Sequence, residues 1–88
     1  MQEEYYSQIK FKGENFTEKN LEQKEFESCV FESCQFLNTD LSEAKFESCE
    51  FKNCDLSNAK IQNTSFQDVI FQDCKMMGLL FDDCNPFL

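Results

Sequence analysis

Six cysteines and 17 acidic residues are the side chains of this 88-residue chain best suited to chemistry. The cysteines share one phase in steps of five: Cys29, Cys34, Cys49, Cys54, Cys74 and Cys84. Metal binding is disfavoured, because the chain has no Cys-x2-Cys pair and no histidine. The even spacing and the lack of a signal peptide argue against a disulfide scaffold. We therefore interpret the thiols as reduced, small core residues and expect no metal and no cofactor.

Catalysis has few candidate residues in this chain. Without histidine, the usual base of a serine or cysteine nucleophile is missing. The adjacent carboxylates of Asp82 and Asp83 are more simply read as solvated turn residues. We predict a protein without enzymatic activity and assign no catalytic residue.

The charge limits the classes of partner. The 17 acidic residues outnumber the 8 basic ones, and the net charge is -9. Such a surface repels phosphate, which disfavours direct binding of nucleic acid or of an anionic membrane and favours a basic protein partner. Mean hydropathy is -0.55, and no apolar run approaches the ~20 residues that span a bilayer. The N-terminus lacks the features of an export signal, so we expect a cytoplasmic protein.

Large apolar residues recur with a period of five. From Phe11 to Phe81 the period contains Phe11, Phe16, Leu21, Phe26, Phe31, Phe36, Leu41, Phe46, Phe51, Leu56, Ile61, Phe66, Phe71, Met76 and Phe81. The register two residues earlier contains the cysteines together with small residues such as Thr39 and Ala44. The other registers are mostly polar. This pattern predicts one inward residue in every five, with the small residue packed beside it.

A period of five excludes a continuous helix and a continuous strand. Five residues of an α-helix rotate the side chain by about 140° net, so the apolar residues would scatter around the helix. In a strand they would alternate between the two faces. A chain that turns a corner every five residues keeps them all inward, and four corners close a coil of about twenty residues.

Several segments match a known repeat motif. The segments 49–53, 54–58 and 59–63 read Cys-Glu-Phe-Lys-Asn, Cys-Asp-Leu-Ser-Asn and Ala-Lys-Ile-Gln-Asn. They resemble the pentapeptide-repeat family, whose motif is a small residue, a polar residue, Leu or Phe, and two polar residues. The resemblance implies an all-β protein, a right-handed quadrilateral β-helix of about four coils.

The repeat divides the chain into three segments. We expect a lead-in over residues 1–8, the β-helix over 9–84 and a tail over 85–88. Within the β-helix, residues 9–25 form a degenerate capping coil, because Glu14, Lys19 and Lys24 occupy the small-residue register there. The predicted structural core consists of Phe26, Phe31, Phe36, Leu41, Phe46, Phe51, Leu56, Ile61, Phe66, Phe71, Met76 and Phe81.

The lead-in Phe-Thr-Glu-Lys-Asn-Leu at 16–21 and the repeated Phe-x-x-Cys units are similar to the N-terminal part of the Qnr and McbG branch of that family. This resemblance implies a DNA mimic that binds DNA gyrase or topoisomerase IV, or the N-terminal portion of one. The predicted partner-binding surface is an acidic corner, consisting of Glu25, Glu27, Glu32, Glu47 and Glu50. The alternative is a structural or protein-interaction module with another protein partner.

The repeat runs in phase to Cys84, and this predicts an uncovered apolar layer at the C-terminal end. Either further coils follow, or two copies meet there as a homodimer. The residues predicted for this end-to-end contact are Phe71, Met76, Phe81, Phe87 and Leu88.

Overall fold

A computed structural model describes residues 2–84 of the chain. It contains eight short strands: β1 (Tyr5–Ser7), β2 (Lys10–Lys12), β3 (Glu25–Glu27), β4 (Val30–Glu32), β5 (Lys45–Glu47), β6 (Glu50–Lys52), β7 (Ser65–Gln67) and β8 (Ile70–Gln72). A 3-10 helix at Phe81–Asp83 is the one helical element within the described residues. No helix in this part of the chain is long and apolar enough to cross a membrane.

The strands form two parallel sheets on adjacent sides of a solenoid. Sheet A has the order β1-β3-β5-β7, and sheet B has the order β2-β4-β6-β8. Each strand pairs with the strand twenty residues later, as in the pairs Tyr6 with Phe26 and Phe31 with Phe51. The predicted four-sided β-helix is therefore confirmed. Three complete turns separate β1 from β7, which is slightly fewer than the four coils predicted.

The other two sides are held by single bridges between coils instead of strands. On the third side the bridges connect Asn15, Gln35, Asp55 and Lys75, and on the fourth side they connect Asn20, Asp40 and Lys60. Both sides contain β-turns with a left-handed third residue. The Thr39 N–H donates to the Phe36 carbonyl at 3.2 Å on the third side, and the Ala44 N–H donates to the Leu41 carbonyl at 3.0 Å on the fourth. Asx turns support them: the Asp55 carboxylate accepts the Ser57 N–H at 3.0 Å.

Left-handed residues make the corners. Every fifth residue from Gln8 to Gly78 has a φ between 53° and 73°. Most of these residues are Asn, Asp, Ser or Gly, and Asn, Asp and Gly tolerate this conformation best. The regular corner explains how the period of five keeps each apolar residue inward.

The core is a stack of inward side chains, and those from the two sheets are aromatic. All eight central residues of the two sheets are aromatic, from Tyr6 to Phe71. Rings stack in parallel from coil to coil, with centroids 5.0 Å apart for Phe26 and Phe46 and 4.8 Å apart for Phe31 and Phe51. The fourth side is aliphatic and contains Leu21, Leu41 and Ile61, all buried. Each coil thus buries the apolar face of its neighbour.

The N-terminal end differs from the expected segment boundary. Strand β1 lies inside the segment 1–8 that we assigned to a lead-in, because the period of five extends back to Tyr6. Glu14 and Lys19 are exposed, but Lys24 is buried beneath the first residues of the chain. Its Nζ donates to the Glu3 carbonyl at 2.8 Å and lies 3.8 Å from the Glu4 carboxylate.

Burial decreases towards the C-terminal end. The predicted core residues from Phe26 to Ile61 are buried, whereas Phe66, Phe71 and Met76 are only partly buried. Phe81 is 48% exposed and begins the 3-10 helix, so the fourth side of the last coil does not repeat the turn of the coils before it. Phe87 and Leu88 lie outside the described residues.

Candidate protein-interaction surface

The five acids of the predicted corner lie on both sheets. Glu25 and Glu27 are in β3, and Glu47 is in β5, so these three point outward from sheet A. Glu27 pairs in register with Glu47 on the next coil. Glu32 and Glu50 are in β4 and β6 of sheet B. Glu27, Glu47 and Glu50 flank the corner between the two sheets, whereas Glu25 and Glu32 lie at the far ends of their strands.

Lysines offset the two acids of sheet B. Glu32 lies 3.3 Å from the Lys10 Nζ and 3.8 Å from the Lys12 Nζ. The hydrogen bond and the charge of Lys10 lower the pKa of the Glu32 carboxyl. Glu50 lies 3.3 Å from the Lys52 Nζ. The outward side of sheet B is close to electrically neutral for this reason.

The acids of sheet A keep their charge unbalanced, and we call Glu25, Glu27 and Glu47 the acidic face. None of the three forms an ion pair within residues 2–84. Lys45, opposite Glu25 in the strand register, is the one lysine in the strands of sheet A. The structure thus divides the predicted corner into a charged side and a neutralised side.

Tyr5 and Ser7, which the sequence analysis did not single out, position one residue of the acidic face, Glu27. The Tyr5 hydroxyl donates to the Glu27 carboxylate at 2.7 Å, and the Ser7 hydroxyl donates to it at 3.1 Å. These hydrogen bonds lower the pKa of Glu27, while the bond to Glu27 raises the pKa of Tyr5. The signal was present in the sequence, since Ser7 lies twenty residues before Glu27 and is therefore its neighbour on the coil below.

The small-residue register forms hydrogen bonds between coils. The Cys49 thiol donates to the Phe26 carbonyl at 3.4 Å, and the Cys54 thiol donates to the Phe31 carbonyl at 3.2 Å. Each acceptor is the inward residue of the coil below, 23 residues earlier. All six cysteines are free, four of them buried and two partly buried. The thiols therefore act as small packed donors as well as apolar groups.

The stacked thiols differ in acidity. The interaction with the neighbouring Cys54 thiol lowers the pKa of Cys34 to about 7, and the same interaction, followed by burial, raises the pKa of Cys54. Burial raises the pKa of Cys49 to about 11. Cys34 is therefore more easily ionised than Cys54.

One open groove of about 310 Å³ lies at the corner between sheet B and the third side. It is lined by Ser33, Cys34, Gln35, Asn53, Cys54, Asp55, Asp73 and Lys75. Within residues 2–84 no group of three or more His, Cys, Asp or Glu side chains is arranged to hold a metal ion. The geometry of the described residues accordingly offers an extended surface for binding and a small polar groove.

The described architecture defines a class of protein, a repeat solenoid. Most of its five-residue sides contain a small residue, an inward aromatic or aliphatic residue and a left-handed corner. Two family models match the chain, pentapeptide repeats (8 copies) over residues 11–47 and the pentapeptide repeat region over residues 44–85. The chain belongs to the pentapeptide-repeat family.

Among solved structures, the chain is similar to full-length QnrB1, a plasmid-mediated fluoroquinolone resistance protein. The TM-score is 0.63 at 20% sequence identity, and the match covers 88% of this chain and 48% of QnrB1. This likeness concerns the fold, and the chain spans about half the length of that protein. A search of curated proteins returned no significant match.

Proposed function

We propose that the chain is a non-enzymatic interaction module whose acidic face occupies a basic, DNA-binding groove of a protein, with DNA gyrase or topoisomerase IV as the partner. The observation that carries the proposal is the unbalanced charge of Glu25, Glu27 and Glu47 on sheet A, beside a neutralised sheet B. The fold shared with QnrB1, a fluoroquinolone resistance protein, supports the choice of partner. Such a partner acts on DNA inside the cell, so the proposal also includes a cytoplasmic location.

The charge density supports mimicry of a duplex. Stacked rings of sheet B are 4.9, 4.8 and 5.1 Å apart, so the rings of Phe11 and Phe71 are separated by roughly 15 Å. A DNA duplex of that length carries on the order of ten charges, at one per ~1.7 Å of axis. The net charge of this chain is -9. The -9 belongs to the whole chain, whose longest extent is 27 Å, so its linear charge density is of the same order as that of a duplex.

The experiment is a supercoiling assay with gyrase, and a decatenation assay with topoisomerase IV, at micromolar concentrations of the chain. We expect inhibition, or protection from a quinolone, by the wild-type chain. The test variant Glu25→Gln, Glu27→Gln, Glu47→Gln removes the acidic face and should lose at least tenfold in potency. The control variant Glu14→Gln, Glu18→Gln, Glu22→Gln removes the same charge from exposed positions elsewhere on the first coil.

The two variants separate a defined surface from general charge. Equal losses in both would show that net charge alone drives the effect. No effect of the wild-type chain on either enzyme would contradict the topoisomerase proposal and favour an interaction module with another protein partner.

We also propose that the last coil is a contact surface, either for a second copy in a homodimer or for further coils. Phe71 and Met76 are partly buried on this layer, and Ile70, Met77 and Phe81 are 58%, 76% and 48% exposed. The predicted contact residues Phe87 and Leu88 belong to the same proposal but lie outside the described residues. Sedimentation of the chain with and without Phe81→Lys tests it: a strict monomer at high micromolar concentration would contradict the homodimer.

A further inference from the structure

The thiols of Cys34 and Cys54 occupy equivalent positions on consecutive coils. The Cys34 Sγ donates to the Phe11 carbonyl at 3.4 Å, and the Cys54 Sγ donates to the Phe31 carbonyl at 3.2 Å. Phe11 and Phe31 are themselves one coil apart, with ring centroids separated by 4.9 Å. Because donors and acceptors repeat together, the two sulfur atoms are separated by about one coil rise.

This separation does not suit a disulfide. A disulfide bond is about 2.05 Å long, so the two sulfurs would have to approach each other by more than ~2 Å. Such a movement would distort the ladder beside them, where the Asp55 N–H donates to the Cys34 carbonyl at 3.2 Å. The regular coil spacing therefore keeps these thiols apart.

The same separation suits one metal ion between the two sulfurs. A metal–thiolate bond is about 2.3 Å long, so two sulfurs on opposite sides of an ion are about 4.6 Å apart. Soft thiolate ligands select soft cations such as Cu(I), and Cu(I) and Ag(I) accept a linear arrangement of two ligands. Two ligands suffice, so this arrangement does not require the clusters of three that are absent from residues 2–84.

The groove between sheet B and the third side gives an ion a route to these thiols. Both cysteines line it, and the carboxylates of Asp55 and Asp73 at the groove attract cations. Lys75 also lines it and would offset the negative charge of a bis-thiolate complex.

We propose that Cys34 and Cys54 form a two-coordinate site for a soft monovalent cation, Cu(I) or Ag(I), that enters through this groove. On binding, each thiol releases one proton to solvent and forms one sulfur–metal bond. No electron is transferred, and the ion keeps its oxidation state.

A second pair of thiols provides a matched control. Cys29 and Cys49 also lie twenty residues apart, and their thiols donate to the carbonyls of Tyr6 and Phe26 at 3.6 and 3.4 Å. Both are 0% exposed, and neither lines the groove. The proposal predicts that this pair, with similar coil geometry but no open route, binds the ion much more weakly.

The test is a titration with Ag(I) in chloride-free buffer, followed by calorimetry and by sulfur-to-silver absorption. The parent is the full chain with Cys74→Ser and Cys84→Ser, which removes the two partly buried thiols. We expect the parent to bind one equivalent of Ag(I) tightly, and we expect the same of the parent with Cys29→Ser and Cys49→Ser. In the parent with Cys34→Ser and Cys54→Ser, the affinity should fall at least 100-fold.

Serine keeps a hydroxyl donor towards the carbonyl below, and circular dichroism checks the fold of each variant. If the double variant at Cys34 and Cys54 does not fold, the single variants Cys34→Ser and Cys54→Ser replace it, since each removes one of two required ligands. Absence of a tight equivalent in the parent would overturn the proposal. Loss of binding on substitution of Cys29 and Cys49, with Cys34 and Cys54 intact, would also overturn it.

Discussion

The Thr39 hydroxyl donates a hydrogen bond of 2.7 Å to the backbone carbonyl of Phe16 on the coil below. Thr64 makes the same bond, also of 2.7 Å, to the carbonyl of Leu41. The thiols of the small-residue register reach the equivalent carbonyls on the two sheet sides. The threonines and the buried cysteines of this register therefore connect consecutive coils through a donor, whereas Ala44 and Ala59 contribute small size alone.

The hydrogen bond of Thr39 should contribute measurably to stability. Thr39→Val keeps the volume and removes the donor from a fully buried site, so we expect a loss of about 1 kcal/mol in the free energy of unfolding. Thr17→Val is the control. Thr17 lies on the same side of the first coil, but two residues before Lys19, which is the position equivalent to Thr39. Urea denaturation should show a change within about 0.5 kcal/mol for the control; equal losses would contradict the role of the donor.

Tyr6 carries the one buried side-chain oxygen or nitrogen without a hydrogen-bond partner among the described residues. Its ring stacks on Phe26 at 5.3 Å, so phenylalanine would keep the stacking and remove the unpaired hydroxyl. We expect Tyr6→Phe to raise the free energy of unfolding by about 1 kcal/mol. Tyr5→Phe instead loses a bond to Glu27 and should not stabilise; thermal melts that rank the two variants the other way would contradict this.

Phe51 and Phe81 should differ strongly on truncation. Phe51 is fully buried between coils, with rings stacked on both sides at 4.8 and 5.1 Å, whereas Phe81 is 48% exposed. Phe51→Ala should cost about 3 to 5 kcal/mol through the cavity that it leaves. Phe81→Ala should cost less than about 1.5 kcal/mol. Chemical denaturation that gives similar losses for both would be inconsistent with the position of Phe81 at the end of the core.

Glu43 occupies a left-handed corner with φ 60°. A residue with a Cβ pays roughly 1 to 2 kcal/mol in that conformation, so Glu43→Gly should stabilise the fold by about 0.5 kcal/mol after the cost in unfolded-chain entropy. Glu22→Gly removes the same charge at a position of the preceding coil without a positive φ and should destabilise instead. If both variants shifted the denaturation midpoint in the same direction, that result would argue against strain at the corner.

Acid should weaken the contact between Tyr5 and Glu27. The hydrogen bonds from Tyr5 and Ser7 lower the pKa of Glu27 below its ordinary value of 4.5. Because the pKa of Glu27 is lower in the folded state, its ionised carboxylate stabilises the fold at pH values above the ordinary pKa. This stabilisation is lost as the pH falls through the folded-state pKa. Melting temperatures recorded from pH 7 to pH 3 should fall less in Tyr5→Phe than in the wild type; identical pH profiles would contradict the coupling.

The period of five was enough to predict the fold because it constrains every coil in the same way. Each of Phe26, Phe46 and Phe66 had to point inward once the corner was assumed, and the register of sheet A follows from that. The departures occur at the two ends, where neighbours exist on one side only. At the N-terminal end the period continues one step before Phe11 to Tyr6, and at Phe81 the chain forms a 3-10 helix although the pattern continues.

The distribution of charge could not be predicted from the period alone. The register places Glu32 above Lys12, but the additional contact with Lys10 depends on side-chain conformation. The sequence indicates in part which sides form strands and which form turns. Asp40 and Asp55 directly precede inward residues on the turn sides, and their carboxylates support the turns.

Competition with DNA tests the central claim most directly. A fluorescein-labelled duplex bound to gyrase is titrated with the chain, and fluorescence anisotropy reports the bound duplex. We predict displacement by the wild-type chain at micromolar concentration, weakened by added salt and weakened at least tenfold by the triple Gln variant of Glu25, Glu27 and Glu47. Anisotropy that stays at the DNA-bound value throughout the titration would contradict the account.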